Sequence, residues 1–343
     1  MILRTAFVTG ATGLLGNNLV RALLARGVRV RALVRSADKA ARQFADLPDK
    51  ETVEVVVGDL GDIAAWAPAL TGCDVVFHTA AFFRDSYKGG RHWPELKRVN
   101  VDGTAALVTA AYAAGVRRFV QTSSIAALNG PPGALIDEGA ERDPADADDY
   151  YRSKILADQA VRAFADRHPD LCATFVLPGW MWGPGDIGPT SAGQVALDTV
   201  RGKLPGLVPG SFSVVDARDV AAAHIAAAQR GRRGERYLAA GRHMTMATLI
   251  PLIGRLANVV TPTRALPMPV LYLLAGLQEV YARLTGKPVL LSLATVRLMA
   301  READRTRFDP TKSERELGLT LRPVEETITD TIAWYRFHGW LPT

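Results

Sequence analysis

The sequence has few of the features that mark secreted, metal-binding or membrane-spanning proteins. Its two cysteines, Cys73 and Cys172, stand far apart and in no metal-ligand spacing, so we expect buried, reduced thiols and no metal site. The longest apolar run, around residues 269–277, is far shorter than the roughly twenty residues that cross a bilayer. An apolar strand begins almost at Met1, which leaves no room for a signal peptide. We therefore expect a cytoplasmic protein without a membrane span.

Acidic residues are scarce in one span near the N-terminus. Between residues 21 and 42, Asp38 is the only acid. The span holds most of the local positive charge, on Arg21, Arg26, Arg29, Arg31, Arg35, Lys39 and Arg42. The net charge of the chain is +6, but no basic stretch is interleaved with aromatic residues, which argues against a nucleic-acid partner. The length of 343 residues and the apolar content of 48% predict a globular protein with one domain plus either a lobe or a second domain.

A glycine-rich turn lies between an apolar strand and an amphipathic helix at residues 6–35. Gly10, Gly13 and Gly16 follow the pattern G-x-x-G-x-x-G. The first glycine permits the sharp turn, the second lets a ligand approach the backbone, and the third lets the helix pack tightly on the sheet. The N–H groups around Thr12, Leu14 and Leu15 then form an anion site suited to a pyrophosphate. The alternative is that the glycines serve turn geometry only, but the strand–helix–strand context favours dinucleotide binding.

Strands and helices alternate through the first 130 residues, which predicts α/β architecture with a doubly wound parallel sheet of the Rossmann type. The ligand edge of such a sheet lies at the carboxyl ends of its strands. The third strand ends at Asp59 and Leu60, and that carboxylate could accept from an adenine amino group or cap a helix over 62–70. The fourth strand ends at His78, which we interpret as structural rather than as a catalytic base. The small residues Thr79, Ala80 and Ala81 follow and would admit a ribose.

Tyr150 and Lys154 are four residues apart on a predicted helix, so they lie on one face a single turn apart. A lysine ammonium favours the phenolate and lowers the pKa of a tyrosine toward the neutral range. Ser124 ends the fifth strand in a run of hydroxyls and could donate to a carbonyl oxygen. An exposed helical pair is the alternative for the tyrosine and lysine alone. Their position after a dinucleotide loop favours proton transfer.

Several segments together resemble the extended short-chain dehydrogenase/reductases. They are TGATGLLG, VNVDGT, TSSIAAL, YYRSK, LPGWMWGPGD and a tail with Phe308-Asp309-Pro310, Leu317-Gly318 and Trp334. The resemblance spans nearly the whole chain and is strongest to the dihydroflavonol-reductase-like and hydroxysteroid-dehydrogenase-like branch, which shades into the NAD-dependent epimerase/dehydratases. It implies Ser124, Tyr150 and Lys154 as a catalytic triad. It also implies that Asn100 supports a proton relay or the cofactor, and that Pro178 flanks the nicotinamide amide.

The end of the second strand carries the information on cofactor choice. NAD-preferring sites usually place a carboxylate there for the ribose 2′-hydroxyl, whereas this strand ends at Arg35 with Lys39 one turn further on. A guanidinium suits a 2′-phosphate, although it could also stack on adenine. The sequence therefore predicts a preference for NADP(H), with NAD(H) as the alternative.

The sequence favours two functions and leaves a third as a further alternative. The first is an NADP(H)-dependent reductase or dehydrogenase acting on a small molecule with a free carbonyl or alcohol. The second is a sugar-nucleotide epimerase or dehydratase with retained NAD, and the third is a non-catalytic nucleotide sensor. Phe83, Trp180 and Trp182 would line an apolar substrate pocket, or the tryptophans could merely pack the lobe on the sheet. Arg201, Lys203 or Arg218 could supply a diphosphate clamp in the second case.

The chain divides into a dinucleotide-binding domain and a substrate lobe. We assign residues 1–178 to the first, with 212–240 returning to its sheet, and residues 179–211 and 241–343 mainly to the second. The oligomeric state stays open, and the resemblance implies that a homodimer formed through a helix bundle is one option.

Overall fold

The computed structural model describes residues 2–47, 52–83, 92–285 and 293–342. Its centre is a seven-stranded parallel sheet. The strands are β1 (Thr5–Thr9), β2 (Arg29–Val34), β3 (Val53–Val57), β4 (Val75–His78), β5 (Arg118–Thr122), β6 (Cys172–Pro178) and β9 (Arg236–Ala239). Their order across the sheet is β3-β2-β1-β4-β5-β6-β9. β1 and β4 are buried along their whole length, as expected for parallel strands covered on both faces. The Rossmann-type fold predicted from the alternation is confirmed.

Helices cover both faces of this sheet and connect its strands. They are α1 (Leu14–Leu24), α2 (Ala37–Gln43), α3 (Trp93–Leu96), α4 (Gly103–Ala113), α5 (Asp149–Arg167), α7 (Ala217–Arg230) and α11 (Thr311–Leu317). One apolar core packs α1 and α7 on one face, around Leu19 and Val220. A second core packs the opposite face against α4 and α5, around Leu107 and Val161.

The smaller lobe has its own sheet and core. Its strands are β7 (Trp180–Trp182), β8 (Ser211–Asp216) and β10 (Arg242–Thr245), and its helices are α6 (Ser191–Val200), α8 (Met246–Ala257), α9 (Met268–Thr285), α10 (Leu293–Arg301) and α12 (Val324–Phe337). β8 is central, parallel to β7 and antiparallel to β10. A core around Leu249, Ile328 and Tyr335 holds α6, α8 and α12 on this sheet. No helix in the described ranges is both long and apolar enough to cross a membrane.

Two predicted elements differ in the structure. The helix expected over 62–70 is a series of turns that ends in a short 3-10 helix at Ala67–Leu70. Pro68 has no N–H to bond the carbonyl four residues earlier, which disfavours a continuous α-helix over residues 62–70. The segment at 212–216 was expected to rejoin the main sheet. It pairs instead with β7 and β10 as β8, and only α7 and β9 return to the main domain.

Candidate active site

The glycine turn between β1 and α1 is a tight backbone cradle. Gly10 has φ +66°, and a Cβ there would lie 2.8 Å from the backbone of Ala80. A Cβ on Gly16 would lie only 2.2 Å from the carbonyl oxygen of Gly10, so the helix approaches the turn as closely as a hydrogen side chain permits. Gly13 precedes α1, and no side chain caps the N–H groups of the first helical turn, which begins at Leu14 and Leu15. This cradle, with Thr12 beside it, fits a pyrophosphate.

The end of β2 is basic. Arg35 follows Val34 and is exposed, and Ser36 caps α2 by accepting from the N–H of Lys39. Lys39 is partly buried. Burial and the neighbouring charge of Arg35 lower its pKa, whereas the carboxylate of Asp186 acts in the opposite direction. Within the described ranges, neither Arg35 nor Lys39 forms an ion pair with a carboxylate, so both cations face the end of the strand unneutralised.

The turn after β3 places Asp59 and Leu60 beside α4. Asp59 Oδ1 accepts from the N–H of Gly61 at 2.7 Å, and its backbone carbonyl accepts from Trp66 Nε1 at 2.9 Å. The carboxylate therefore caps a local turn, and the helix it was expected to cap does not form. Leu60 is buried and would lie within 3.1 Å of a Cβ on Gly103. Arg98 lies 3.8 Å from the same Asp59 oxygen, and the adenine alternative stays a prediction.

His78 at the end of β4 is fixed by hydrogen bonds on both ring nitrogens. Thr104 donates its hydroxyl to the carbonyl of Asn100, so Thr104 Oγ1 accepts from His78 Nε2 at 2.8 Å. His78 Nδ1 then accepts from the Thr9 hydroxyl at 2.8 Å. Burial, with help from the Lys154 charge, lowers the His78 pKa to about 3. The His78 ring is neutral, and both of its nitrogens are hydrogen-bonded. These contacts support a structural role for His78 and argue against a role as a catalytic base.

The same hydroxyl of Thr9 organises the segment after β4. Its Oγ1 accepts from the N–H groups of Thr79 and Ala80, both at 3.2 Å, and Thr79 Oγ1 donates to the Thr9 carbonyl at 2.6 Å. Ala81 is exposed at this edge. The three small residues therefore form a rigid, low wall beside Gly10, which is the shape that a ribose requires.

Asn100 lies in a π-helical stretch, Lys97–Asp102, between α3 and α4. Its Oδ1 accepts from the N–H of Phe82 at 2.7 Å, and its Nδ2 donates to the Phe82 carbonyl and to Ser153 Oγ, both at 3.0 Å. Asn100 thus fastens the segment after β4 to α5. Single-turn π segments are frequent at functional sites, because they re-aim one side chain. These contacts position the site, and a part in a proton relay stays a prediction.

One face of α5 carries the predicted proton-transfer groups against the end of β5. Tyr150 and Lys154 are both buried, and Lys154 Nζ donates to the carbonyl of Thr122 at 2.5 Å. Ser124 follows two residues later and is partly exposed, and its Oγ accepts from the N–H of Ala126. Burial lowers the Lys154 pKa, and the Asp158 carboxylate opposes that effect. The structure therefore brings the three predicted residues to one corner of the sheet edge.

Sequence reasoning missed two buried groups behind this corner. Asp158, one turn after Lys154 on α5, accepts from the hydroxyl of Ser123. His224 on α7 accepts through Nε2 from the Thr122 hydroxyl at 2.7 Å and donates through Nδ1 to the Val220 carbonyl. Burial lowers the His224 pKa to about 4, so it is neutral. The i+4 spacing from Lys154 to Asp158 was available in the sequence, whereas nothing local indicated His224.

Of the three aromatic side chains predicted to line the pocket, Phe83 packs against the corner, and Trp180 and Trp182 lie in the lobe. The ring of Phe83 packs edge-on against Tyr150 with centroids 4.7 Å apart, and the rest of the loop at 84–91 lies outside the described residues. Trp180 is partly exposed and packs on Phe212 at 4.6 Å. Trp182 is 1% exposed and belongs to the lobe core, so for this residue the packing alternative replaces the predicted pocket role. Pro178 ends β6, buried against Ala239.

The cradle and the corner together satisfy the requirements of a nicotinamide dinucleotide. The absence of a Cβ at Gly10 and at Gly16 lets the turn pack closely against Ala80 and against α1, and the α1 N-terminus supplies donors for a pyrophosphate. Thr79 and Ala80 lie on the path from this cradle to Tyr150, Lys154 and Ser124. The arrangement can hold a dinucleotide along the sheet edge and move a proton at its far end.

The comparisons with known proteins agree with this geometry. The sequence profile of the NAD-dependent epimerase/dehydratase family matches residues 6–240. Sterol demethylase protein B of Methylococcus capsulatus is 37% identical over 98% of this chain and 99% of its own length. Ceramide reductase of Caulobacter vibrioides is 31% identical over 98% and 95%. The crystal structure of gox2253 superposes with a TM-score of 0.82 at 34% identity, covering 98% of this chain and 99% of that one. The chain therefore belongs to the NAD-dependent epimerase/dehydratase family of extended short-chain dehydrogenase/reductases and is an oxidoreductase.

Proposed function

We propose that the protein is an NADP(H)-dependent carbonyl reductase, which runs in reverse as an alcohol dehydrogenase. The observation that carries the proposal is the corner at the end of β5, where Tyr150 and Lys154 on α5 meet Ser124 beside the ring of Phe83. An apolar wall, a proton donor and a hydroxyl donor at one point are the groups that carbonyl reduction needs.

Each group of the corner has a distinct task. The bound nicotinamide would supply the hydride. Ser124 donates a hydrogen bond to the carbonyl oxygen of the substrate and polarises it. Tyr150 delivers the proton to the same oxygen as negative charge develops there. Lys154, anchored on the Thr122 carbonyl, supports the resulting phenolate electrostatically. Ser153 and Asn100 keep α5 and the Phe82 segment in register with these groups.

The preference for NADP(H) rests on the end of β2. Arg35 and Lys39 present two cations where an NAD-selective site presents a carboxylate, and neither is neutralised by an acid in the described ranges. A phosphate can accept hydrogen bonds from a planar guanidinium and from an ammonium at once. Burial and the charge of Arg35 lower the Lys39 pKa, and a dianion placed between the two cations would oppose that lowering. A bare ribose diol offers neither gain.

The substrate class follows from what surrounds the corner. Leu177-Pro178 ends β6 without the amide that sugar-nucleotide members use to hold a diphosphate. Arg218, one candidate for a diphosphate clamp, already pairs with Asp216 and Asp330 at 2.7 Å each. Trp180, Phe83 and Phe212 supply flat apolar surface instead. Two relatives carry names that refer to a sterol and a ceramide, both large apolar molecules. We propose a hydrophobic aldehyde or ketone.

A sugar-nucleotide epimerase or dehydratase is the second candidate, because the matching family profile bears that name. This function requires other cations to bind the diphosphate, because the amide at the end of β6 is absent and Arg218 is already paired. Lys203 is exposed, and Arg201 is exposed and donates to the backbone carbonyl of Trp340. Both remain able to turn toward a diphosphate, which keeps this candidate open.

Two panels of compounds separate the candidates. The purified protein is screened by thermal shift and by NADPH oxidation, first with hydrophobic aldehydes and ketones and then with UDP- and GDP-sugars. We expect turnover of at least one apolar carbonyl compound and no stabilisation by any sugar nucleotide. A sugar nucleotide that stabilises the protein, with every carbonyl compound inert, overturns the proposal. Denaturing the protein and assaying released dinucleotide adds a second criterion, since an epimerase retains NAD and a reductase exchanges NADP(H).

A further inference from the structure

A buried polar network lies directly behind the proposed active corner. Tyr150, Lys154 and Asp158 follow one another at four-residue spacing on α5, so they form one stripe facing the end of β5. Lys154 donates to the Thr122 carbonyl, and Asp158 accepts from the Ser123 hydroxyl. Two consecutive residues that lead to Ser124 are therefore fastened by two consecutive turns of the same helix.

Asp158 forms few other contacts that stabilise its charge. It is 3% exposed, and its Oδ1 has no hydrogen-bond partner among the described residues. The guanidinium of Arg236 on β9 stands 3.9 Å from Oδ2, too far for a hydrogen bond, and is itself held by Glu141 at 3.1 Å and by the Glu138 carbonyl. A buried carboxylate with one neutral hydrogen bond is costly, so a nearby cation must offset it.

Besides Arg236, Lys154 is a candidate for that cation, one helical turn from Asp158 with Cβ atoms about 5–6 Å apart. Its other neighbours, His78 and His224, are neutral and cannot supply a counter-charge. Burial raises the pKa of the Asp158 carboxyl. The hydrogen bond from Ser123 and the charges that face Asp158, on Lys154 and Arg162 of α5 and on Arg236 of β9, oppose that effect. Removing the Asp158 charge would thus leave the Lys154 ammonium buried without an anion.

We propose that Asp158 is a positioning residue, which keeps Lys154 charged beside Tyr150 and, through Ser123, fixes the end of β5 that carries Ser124. The proposal deepens the proposed function, because it assigns the control of the Tyr150 proton donor to a group that touches neither substrate nor dinucleotide.

The direction of the effect can be derived. Without the carboxylate, Lys154 loses its proton at a lower pH, because the Asp158 charge favours the ammonium. Tyr150 then ionises without a cation beside it, so the pH at which its phenolate forms rises. The direct effect of the lost negative charge on Tyr150 is opposite in sign. It acts over two turns, about 12 Å along the helix, and is therefore weaker.

The test compares four variants in the full-length protein. Asp158→Asn removes the charge and keeps an acceptor for Ser123, whereas Asp158→Glu restores the charge. Ser123→Ala removes the hydrogen bond to Asp158 and leaves the carboxyl group in place. Asp166→Asn makes the same chemical change at an exposed position of α5 and serves as the matched control. The midpoint of Tyr150 ionisation is measured by phenolate absorbance, as the difference from Tyr150→Phe in each background, so no substrate is needed.

We expect Asp158→Asn to raise this midpoint by roughly half a unit or more. Asp158→Glu and Asp166→Asn should leave it near the wild-type value, and Ser123→Ala should lower kcat for alcohol oxidation about tenfold. An unchanged or lowered midpoint in folded Asp158→Asn overturns the electrostatic part, and wild-type kcat in Ser123→Ala overturns the positioning part. If Asp158→Asn does not fold, a midpoint in Asp158→Glu displaced as far as half a unit refutes the charge argument. If no carbonyl compound is turned over, the proposed function fails while the midpoint still tests Asp158.

Discussion

Replacing Gly16 with alanine tests whether the close contact between α1 and the glycine turn is necessary. The added Cβ would lie 2.2 Å from the Gly10 carbonyl oxygen and 2.8 Å from Ala11 Cα. Both are backbone atoms of a turn that is packed against Ala80, so neither can move aside like a flexible side chain.

Two effects of opposite sign decide the outcome. Alanine in a helix interior gains about 1 kcal/mol over glycine through backbone entropy. Overpacking of a rigid site costs about 1–3 kcal/mol, and more where backbone must shift. A 2.2 Å approach is far inside van der Waals contact, so the clash outweighs the propensity gain. We expect a net destabilisation of about 1–2 kcal/mol.

The substitution should affect NADPH binding at the cradle more than the stability of the fold as a whole. A displaced α1 moves the N–H groups at Leu14 and Leu15 away from the position that a pyrophosphate occupies, so NADPH affinity should fall at least tenfold, or about 1.4 kcal/mol. Isothermal titration and thermal unfolding measure the two quantities on the same sample.

Gly276→Ala is the matched control. Gly276 is also helical, in α9, and a Cβ there would meet nothing within 4 Å. It should raise the melting temperature slightly and leave NADPH affinity unchanged. A Gly16→Ala protein that binds NADPH with wild-type affinity and melts no lower than wild type would refute the assignment of the cradle.

Three further predictions concern the site and its neighbours. Tyr150→Phe keeps the ring packed on Phe83 and removes only the proton donor, so kcat should fall well over tenfold with NADPH binding retained; residual activity above about a tenth contradicts the role. Arg35→Ala should weaken NADPH and leave NADH unaffected by fluorescence titration, and tighter binding of NADH than NADPH by the wild type would count against a 2′-phosphate site. His78 has a pKa of about 3 in the folded protein, against about 6.5 for an unperturbed histidine, so its stabilising contribution is complete above pH 6.5 and decreases as pH falls toward 3. His78→Gln should therefore lose less stability than wild type between pH 6.5 and 4 in urea unfolding, and a wild-type pH dependence in this variant would contradict the burial of a neutral ring.

The local sequence was sufficient for the fold class and for the main elements of the site. The glycine turn, the alternation of strands and helices and the Tyr150–Lys154 spacing are all short-range patterns. They determine backbone conformation and side-chain face within a few residues. The family and the oxidoreductase class predicted from these motifs are confirmed. The division into domains and the roles of the site residues stay predictions.

Tertiary structure decided the points that depend on which segments meet. β8 has a strand pattern, but only its packing shows that it joins β7 and β10 instead of the main sheet. Trp182 could line a pocket or fill a core, and burial in the lobe assigned it to the core. Likewise, Asp158 and His224 carry no local signal of their contact with residues 122 and 123, since those contacts join segments 35 and 102 residues apart. Periodicity fixes the face on which a side chain lies, and only long-range packing fixes what that face meets.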